Sequence, residues 1–333
     1  MANAMYCPAT SDRDILLDSR LWLSQRFNVG SSRSISSDII SNHTAHDWRI
    51  ERLTKADSRG YIRTRSVLDS RVVAFGGDGG FNCSHDSVAA RQSPRQDFTL
   101  VHAAQGDARL EIDGQHVDLK AGTFVITDSA RPMALDVCSR FSQFYFIFPK
   151  KQVLSAFPFV EGFVGVPFGP AEGLLAFFLD HLTSIEHHLG TFVDHHADTL
   201  LNATLQLLAM TLSSVDPDRM VTTRERQLFR IKSYIEARLA EPDLDVASIA
   251  LENSLNIRYL HKMFSQSGVT VSNWVRKRRL EMCRQDFDAP AFARRSITEI
   301  ALRWGFNDMS HFSKAFKQEF GMAPRAYRAR HQV

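Results

Sequence analysis

Two segments in the C-terminal third repeat one physical plan, and that plan fixes much of what this part of the chain can fold into. In the first, Asp245 caps a short helix whose Val246, Ile249 and Ala250 turn inward, and Asn253, Ser254 and Leu255 form a turn. Asn256 then caps a second helix with Leu260, Met263 and Phe264 inward and Gly268 as its stop. In the second segment, Ser296 to Glu299 reads as a capping box, with Ile297, Ile300, Ala301 and Trp304 on the buried face and Gly305 at the turn. Asn307 caps a helix with Phe312, Phe316 and Phe320 inward, closed by Gly321 and Pro324. The two cap asparagines stand 51 residues apart, and 271–287 reads as one continuous helix holding the units at fixed separation. This is a tandem helix-turn-helix.

A helix-turn-helix lays its second helix in the DNA major groove, with N-terminal side chains reaching the base edges. The expected DNA contacts are therefore Asn256, Arg258, His261 and Lys262 in the first unit. In the second they are Asn307, Asp308, Met309, Ser310 and Lys314, with Lys317 also outward. Charge agrees: residues 222–333 carry 20 Lys and Arg against 12 Asp and Glu, a balance of +8, while the first 221 residues carry −5. A basic module on an acidic remainder is the footprint of a chain that meets a polyanion with one end only. In the run 276–279 (RKRR) four consecutive helical residues point all ways round, so at most two touch phosphate together. Arg279 is expected to serve packing or an ion pair, the others to be solvated or to touch phosphate.

The segment 296–327, SITEIALRWGFNDMSHFSKAFKQEFGMAPRAY, resembles the C-terminal signature of the AraC/XylS family of bacterial transcription regulators. The likeness extends back through Arg279 and Leu280 to the LHKMF run at 260–264, covering about 228–328. It implies a double helix-turn-helix acting at promoters, usually as an activator that recruits RNA polymerase. Ser254 departs from the turn glycine usual there, Asn256 from serine and Cys283 from alanine.

Upstream, the period changes. Between Trp48 and Phe148, runs rich in Val, Ile, Phe and Tyr recur with Gly and Asp turns: 62–67, 72–75, 98–102, 109–112, 123–127 and 141–148. Asp113-Gly114 signals a two-residue hairpin between 109–112 and 115–119. Such a series makes an all-β barrel or sandwich, and 97–149 resembles the cupin-type sensor half of a subgroup of the same family. After Pro149 two apolar stripes at helical spacing follow: Leu174, Leu175, Phe178, Leu182 and Ile185, then Leu200, Leu201, Leu205, Leu208 and Leu212. The second stripe suits either packing on the β-domain or pairing with a second copy. Leu201, Leu205 and Leu208 are the candidate dimer contacts.

The overall expectation is an α+β chain with a leader (1–25), a cupin-like sensor (26–150), a helical dimerisation or packing segment (151–213), a linker (214–224) and an all-α DNA-binding domain (225–333). A Ser-rich loop is expected at 31–38. No HxH pair occurs, so the barrel is expected to bind rather than catalyse, and no cofactor is expected. Its candidate effector residues are Arg63, Phe98, His102, Arg131 and Phe144. Phe75, Leu100, Phe124, Ile126 and Phe146 are further walls, with Arg63, Arg65 or Arg131 to pair with a carboxylate.

His181, His187, His188, His195 and His196 read as a polar face, and no metal is assigned. The four scattered cysteines suggest neither disulfides nor a zinc site, and no stretch has the length of a membrane-spanning helix; a cytoplasmic location is expected. The function expected is an effector-responsive DNA-binding regulator of a small-molecule catabolic operon, aromatic or organic-acid, working as a homodimer on double-stranded promoter DNA. The alternative is a ligand-independent repressor or architectural protein whose barrel only scaffolds a dimer.

Overall fold

The computed structural model describes residues 23–28, 44, 48–53, 59–92, 96–137, 139–169, 172–188, 191–216 and 223–331 except 266–267. The Ser-rich segment and nearly all of the leader lie outside them. The chain divides into two compact units between Val221 and Thr222.

The first unit is built on two antiparallel sheets. Its strands are β1 (Leu23–Asn28), β2 (Arg49–Leu53), β3 (Arg59–Val67), β4 (Ser70–Gly77), β5 (Phe81–His85), β6 (Asp97–Gln105), β7 (Ala108–Ile112), β8 (Gln115–Leu119), β9 (Thr123–Asp128), β10 (Met133–Val137) and β11 (Phe141–Pro149). The six-stranded sheet runs β1-β3-β4-β11-β6-β9 and the five-stranded sheet β2-β5-β10-β7-β8. The β7–β8 hairpin turns at Asp113 (φ 50) and Gly114 (φ 77), the two positive φ angles that a type I′ turn demands. Residues 23–25, read from sequence as leader, begin β1, which pairs with β3 from Leu23↔Thr64 onward.

Because side chains alternate along a strand, each strand of the six-stranded sheet serves two layers. One face meets the second sheet. The other carries Phe98, Leu100, Phe124, Ile126 and Phe146, all 2% exposed or less, and is covered by α3 (Leu174–His188) and α4 (Asp194–Ser213). Phe124 stacks on Phe168 at 5.0 Å and meets Phe178 of α3 edge-on at 5.3 Å. Two shorter helices, α1 (Ser87–Gln92) and α2 (Lys150–Ala156), complete the unit.

The Leu stripe of α4 faces its own unit: Leu201, Leu205 and Leu208 are 2%, 3% and 4% exposed. They are core residues of the single chain, so this stripe is not an exposed face. The exposed residues of α4 are instead His195, His196, Thr199, Asn202, Ala203, Gln206, Met210 and Ser213. His181 reaches Thr204 Oγ1 at 2.9 Å across the two helices. Among the described residues no cluster of metal-ligating side chains occurs, and no helix is long and apolar enough to cross a membrane.

The second unit is all helical: α5 (Thr223–Ala237), α6 (Val246–Glu252), α7 (Ile257–Ser265), α8 (Val271–Asp288), α9 (Ile297–Arg303), α10 (Met309–Phe320) and α11 (Pro324–His331). Its C-terminal core gathers Leu280, Phe287, Ile300, Phe312, Phe316 and Tyr327. Truncating Leu205 to Ala should cost about 2 to 5 kcal/mol of first-unit stability through the cavity it leaves. Denaturant unfolding at several protein concentrations checks this, since a loss that appears only on dilution would mark Leu205 as an interface residue.

Candidate DNA interface and candidate effector cavity

Both helix-turn-helix units are fastened by their caps. In the first, Asp245 accepts from the Ser248 amide at 2.7 Å, the Ser248 hydroxyl accepts from the Asp245 amide at 3.1 Å, and Asn256 Oδ1 accepts from the Tyr259 amide at 2.7 Å. In the second, Ser296 and Glu299 make the expected reciprocal capping box. The cap of α10 is one residue later than the sequence suggested. Asp308, and not Asn307, accepts from the Ser310 and His311 amides at 2.8 and 2.9 Å. Those two amides hold the Asp308 carboxyl below its ordinary value. Asp308 is thus accounted for as a cap, and Met309 is half-buried against the C-terminal core.

The remaining side chains form two matching stripes. On α7, Arg258, His261, Lys262 and Ser265 are exposed at i, i+3, i+4 and i+7, one face of a helix. On α10, Ser310, Ser313, Lys314 and Lys317 repeat that spacing and are exposed too. Ser265 and Ser313 were not singled out from sequence, although the 3.6-residue period placed them there.

Arg279 of α8 joins the parts. Its guanidinium donates to Leu239 O at 2.9 Å, Glu241 O at 2.5 Å and Gly305 O at 3.2 Å, tying the end of the α5 region and the second turn to the central helix. The expected role was packing or an ion pair; its partners are backbone carbonyls. Arg278, read from sequence as solvated or touching phosphate, is buried and pairs with Glu236 through Nε at 2.6 Å and Nη2 at 3.3 Å. Gly305 has φ +75, and a Cβ there would meet the Arg279 guanidinium at 2.8 Å. The corresponding turn residue of the first unit, Ser254, holds φ 54 without being glycine.

In the β unit, the cavity lies between the two sheets. Thr99, Val101, Thr127, Tyr145 and Ile147 contribute from the six-stranded sheet, and His85, Leu110, Met133 and Leu135 from the other, with Thr44, Trp48 and Ser129 completing the wall. Its volume is about 30 Å³, room for a few water molecules. A second lobe, lined by Ile62, Val73, Phe75, Phe81 and Cys83, shares Thr44, Trp48, Leu135 and Tyr145 with the first.

The wall residues expected from the strand pattern sit one position out of phase. Phe98, His102 and Phe144, with Leu100, Phe124, Ile126 and Phe146, alternate with the lining residues and so face the helices. His102 Nδ1 lies 2.5 Å from Glu186 Oε1 of α3, both side chains buried. Burial raises the Glu186 carboxyl, and the bond to His102 pulls it back. The arginines are elsewhere: Arg63 is exposed over the Tyr61 ring at 5.3 Å, and Arg65, buried, donates to Phe192 O at 2.5 Å. Arg131 reaches Asp113 at 3.4 Å and Asp128 at 3.9 Å. Of the walls expected, Phe75 alone lines the cavity.

A β unit with an internal cavity and a tandem helix-turn-helix unit stand together in one chain. The AraC-binding-like domain matches 43–213, just over half of the chain, and a helix-turn-helix domain matches 249–330. The chain belongs to the AraC family of transcription regulators, a family of DNA-binding regulators and not of enzymes. Transcriptional activator NphR of Rhodococcus sp is 25% identical over 249 residues, 70% of each chain. Transcriptional activator RhrA of Rhizobium meliloti (strain 1021) is 32% identical over 139 residues, 42% of this chain and 41% of that one. HTH-type transcriptional activator RhaS of Klebsiella pneumoniae (strain 342) is 27% identical over 149 residues, covering 44% of this chain and 52% of its own. Among solved structures, the AraC-like transcriptional activator CuxR covers 78% of this chain and 94% of its own at 16% identity, with a TM-score of 0.48.

Two outcomes follow from the geometry of the DNA unit. Asp308→Ala should lower the melting temperature of the second unit, and Asp308→Asn, which keeps an acceptor for both amides but loses the charge they favour, should lower it less at neutral pH. With the carboxyl held below its unfolded value, the wild type should lose this advantage over Asp308→Asn as pH falls through the folded pKa. Gly305→Ala should cost about 1 to 3 kcal/mol through strain at positive φ and displacement of Arg279, and Ser254→Gly should not destabilise. Thermal melts of the four variants check both.

Proposed function

We propose that this protein is an effector-responsive transcription activator that binds double-stranded promoter DNA as a homodimer in the cytoplasm and works by engaging RNA polymerase, on an operon for small-molecule catabolism. The observation that carries the reading is the pair of matching exposed stripes on α7 and α10, held in one unit by Arg279. Arg258, His261 and Lys262 in the first helix, and Ser310 and Lys314 in the second, are the base and phosphate contacts. Asn256 and Asn307 stand at the helix starts, where a phosphate approaches the backbone amides. The activator sign is supported by the relatives, each named as a transcriptional activator.

Effector control follows from the two-faced sheet. Val101 and Tyr145 line the cavity, while their neighbours His102 and Phe144 on the same strands face the helices. A ligand that spreads the cavity shifts β6 and β11 and hence the seating of α3 and α4. It acts only to the extent that it binds one seating better than the other.

The test is retention of genomic fragments by the purified protein at near-physiological salt, where non-specific phosphate binding has faded. Paired half-sites are expected. Arg258→Ala should weaken binding roughly tenfold or more and relax preference at one base, since a good base contact is worth about 1 to 3 kcal/mol. Lys314→Ala, if it touches phosphate, should weaken all sites alike and reduce the salt dependence by about one ion. Retention without preferred sites, with or without candidate effectors, would favour an architectural role. Unchanged affinity in both variants would remove these helices as the reading surface.

A further inference from the structure

The cavity between the sheets has a chemistry at odds with a charged effector. Among its lining residues there is no Lys, Arg, Asp or Glu. The arginines that sequence offered for a carboxylate are all spent elsewhere: Arg63 on the opposite face, Arg65 on Phe192 O, Arg131 on Asp113 and Asp128. Asp97 is buried on the same strand face as Thr99, two residues away, and would oppose an anion further. His85 is the single lining side chain able to carry positive charge, and its Nε2 lies 3.1 Å from the Ser129 carbonyl oxygen. A carboxylate taken into such a wall loses its hydration and gains no fixed cation, which is strongly unfavourable.

What the wall does offer is flat apolar surface with a few hydrogen-bonding groups. Trp48, Tyr145, His85 and Met133 present ring faces and a thioether, and Val101, Leu110, Leu135 and Ile147 fill in between. Thr99, Thr127, Ser129 and the Tyr145 hydroxyl supply the polar points. Tyr145 donates to Gln143 Oε1 at 2.5 Å. Gln143 is itself fully buried on the same face of β11, and its Nε2 has no hydrogen-bond partner among the described residues. Exchanging the amide oxygen and nitrogen only moves the deficit to the other atom. A buried amide with one group unmet is costly and uncommon. Of the two, Tyr145 lines both lobes of the cavity while Gln143 supports its hydroxyl from outside the lining, and burial keeps the Tyr145 phenol protonated well above its ordinary value.

We infer that the cavity takes an uncharged ligand the size of a single aromatic ring, carrying one or two hydrogen-bonding substituents read by Tyr145 and the hydroxyls of Thr99, Thr127 and Ser129, and that it rejects the corresponding carboxylate. The inference rests on the effector-responsive reading above and deepens it by naming the ligand class. The space open to water is that of a few molecules, so a ring enters by parting the sheets. Binding is therefore expected to register in the strands themselves, and Trp48 in the wall is a built-in reporter.

The experiment pairs two probes of nearly equal shape, benzamide and benzoate, on the full-length protein at pH 7, read by isothermal titration and tryptophan fluorescence. Benzyl alcohol serves as a second neutral probe. The neutral probes should bind and shift the fluorescence, and benzoate should bind at least tenfold more weakly. Tyr145→Phe, which keeps the ring and removes the hydroxyl, should weaken the neutral probes severalfold, with a lowered melting temperature because Gln143 Oε1 loses its partner as well. If that variant fails to fold, Thr127→Val provides the same comparison at a second polar point. Benzoate binding as tightly as benzamide, or no neutral ring binding at all, would overturn the inference. Operator affinity measured with and without the bound probe keeps the two readings apart. A neutral ring that binds in the cavity without changing operator affinity sustains the ligand class and removes the effector role. Sequence-specific DNA binding without any ring bound does the reverse.

Discussion

Four strands of the six-stranded sheet, β4, β6, β9 and β11, are buried on both faces along most of their length, and the organisation of the first unit depends on that. In a strand of period two, a sheet with two buried faces has two sets of inward side chains, and each set is committed to a different neighbour. In β6 the residues Phe98, Leu100 and His102 belong to the helices, while Thr99 and Val101 belong to the space between the sheets. On β6 and β9 the aromatic groups Phe98 and Phe124 went to the helix side, where Phe124 packs with Phe168 and Phe178. The smaller and more polar groups were left for the cavity. The division gives one layer rigidity and the other room.

In the second unit the ordering principle is different. Each helix-turn-helix is stabilised by local caps, but what unites them is a set of cations placed against backbone and carboxylate acceptors around α8. Arg279 and Arg278 withdraw from solvent to do this, and Lys277 reaches Glu319 at 3.6 Å. In the run of four basic residues, which by composition resembles a nucleic-acid patch, Arg278 and Arg279 are internal wiring while Arg276 and Lys277 stay exposed. The two stripes on α7 and α10 keep their positive charge facing outward.

How much of this was readable in the chain depended on whether the signal was local. Helix caps are local, so Asp245, Asn256 and Ser296 were placed correctly. The single slip, Asn307 for Asp308, arose where two adjacent residues have equivalent capping chemistry. The hairpin at Asp113-Gly114 was local in the same way. Strands β2, β5 and β10 carry few β-branched residues in sequences such as FNCSH and MALDV, and they are strands because neighbouring strands hold them. The cavity was missed for a deeper reason. Where both faces of a strand are buried, hydrophobicity no longer alternates, and the phase cannot be taken from size alone. β7 shows the contrast, with Arg109 and Glu111 exposed and Leu110 buried against the cavity. Leu201, Leu205 and Leu208 pose the same problem on a helix, since an apolar stripe names a face but not its partner.

The central helix of the second unit, Val271–Asp288, is 18 residues long, or about 27 Å at 1.5 Å per residue. It is a ruler and also a protractor. Adding one residue would lengthen it by only about 1.5 Å but turn everything beyond the insertion by about 100°, pointing the second stripe away from the first. Gradual drift in length is therefore closed to this helix. A change that kept both stripes in the same relative rotation would have to come in near-whole turns of three or four residues, altering their distance in steps of about 5 Å.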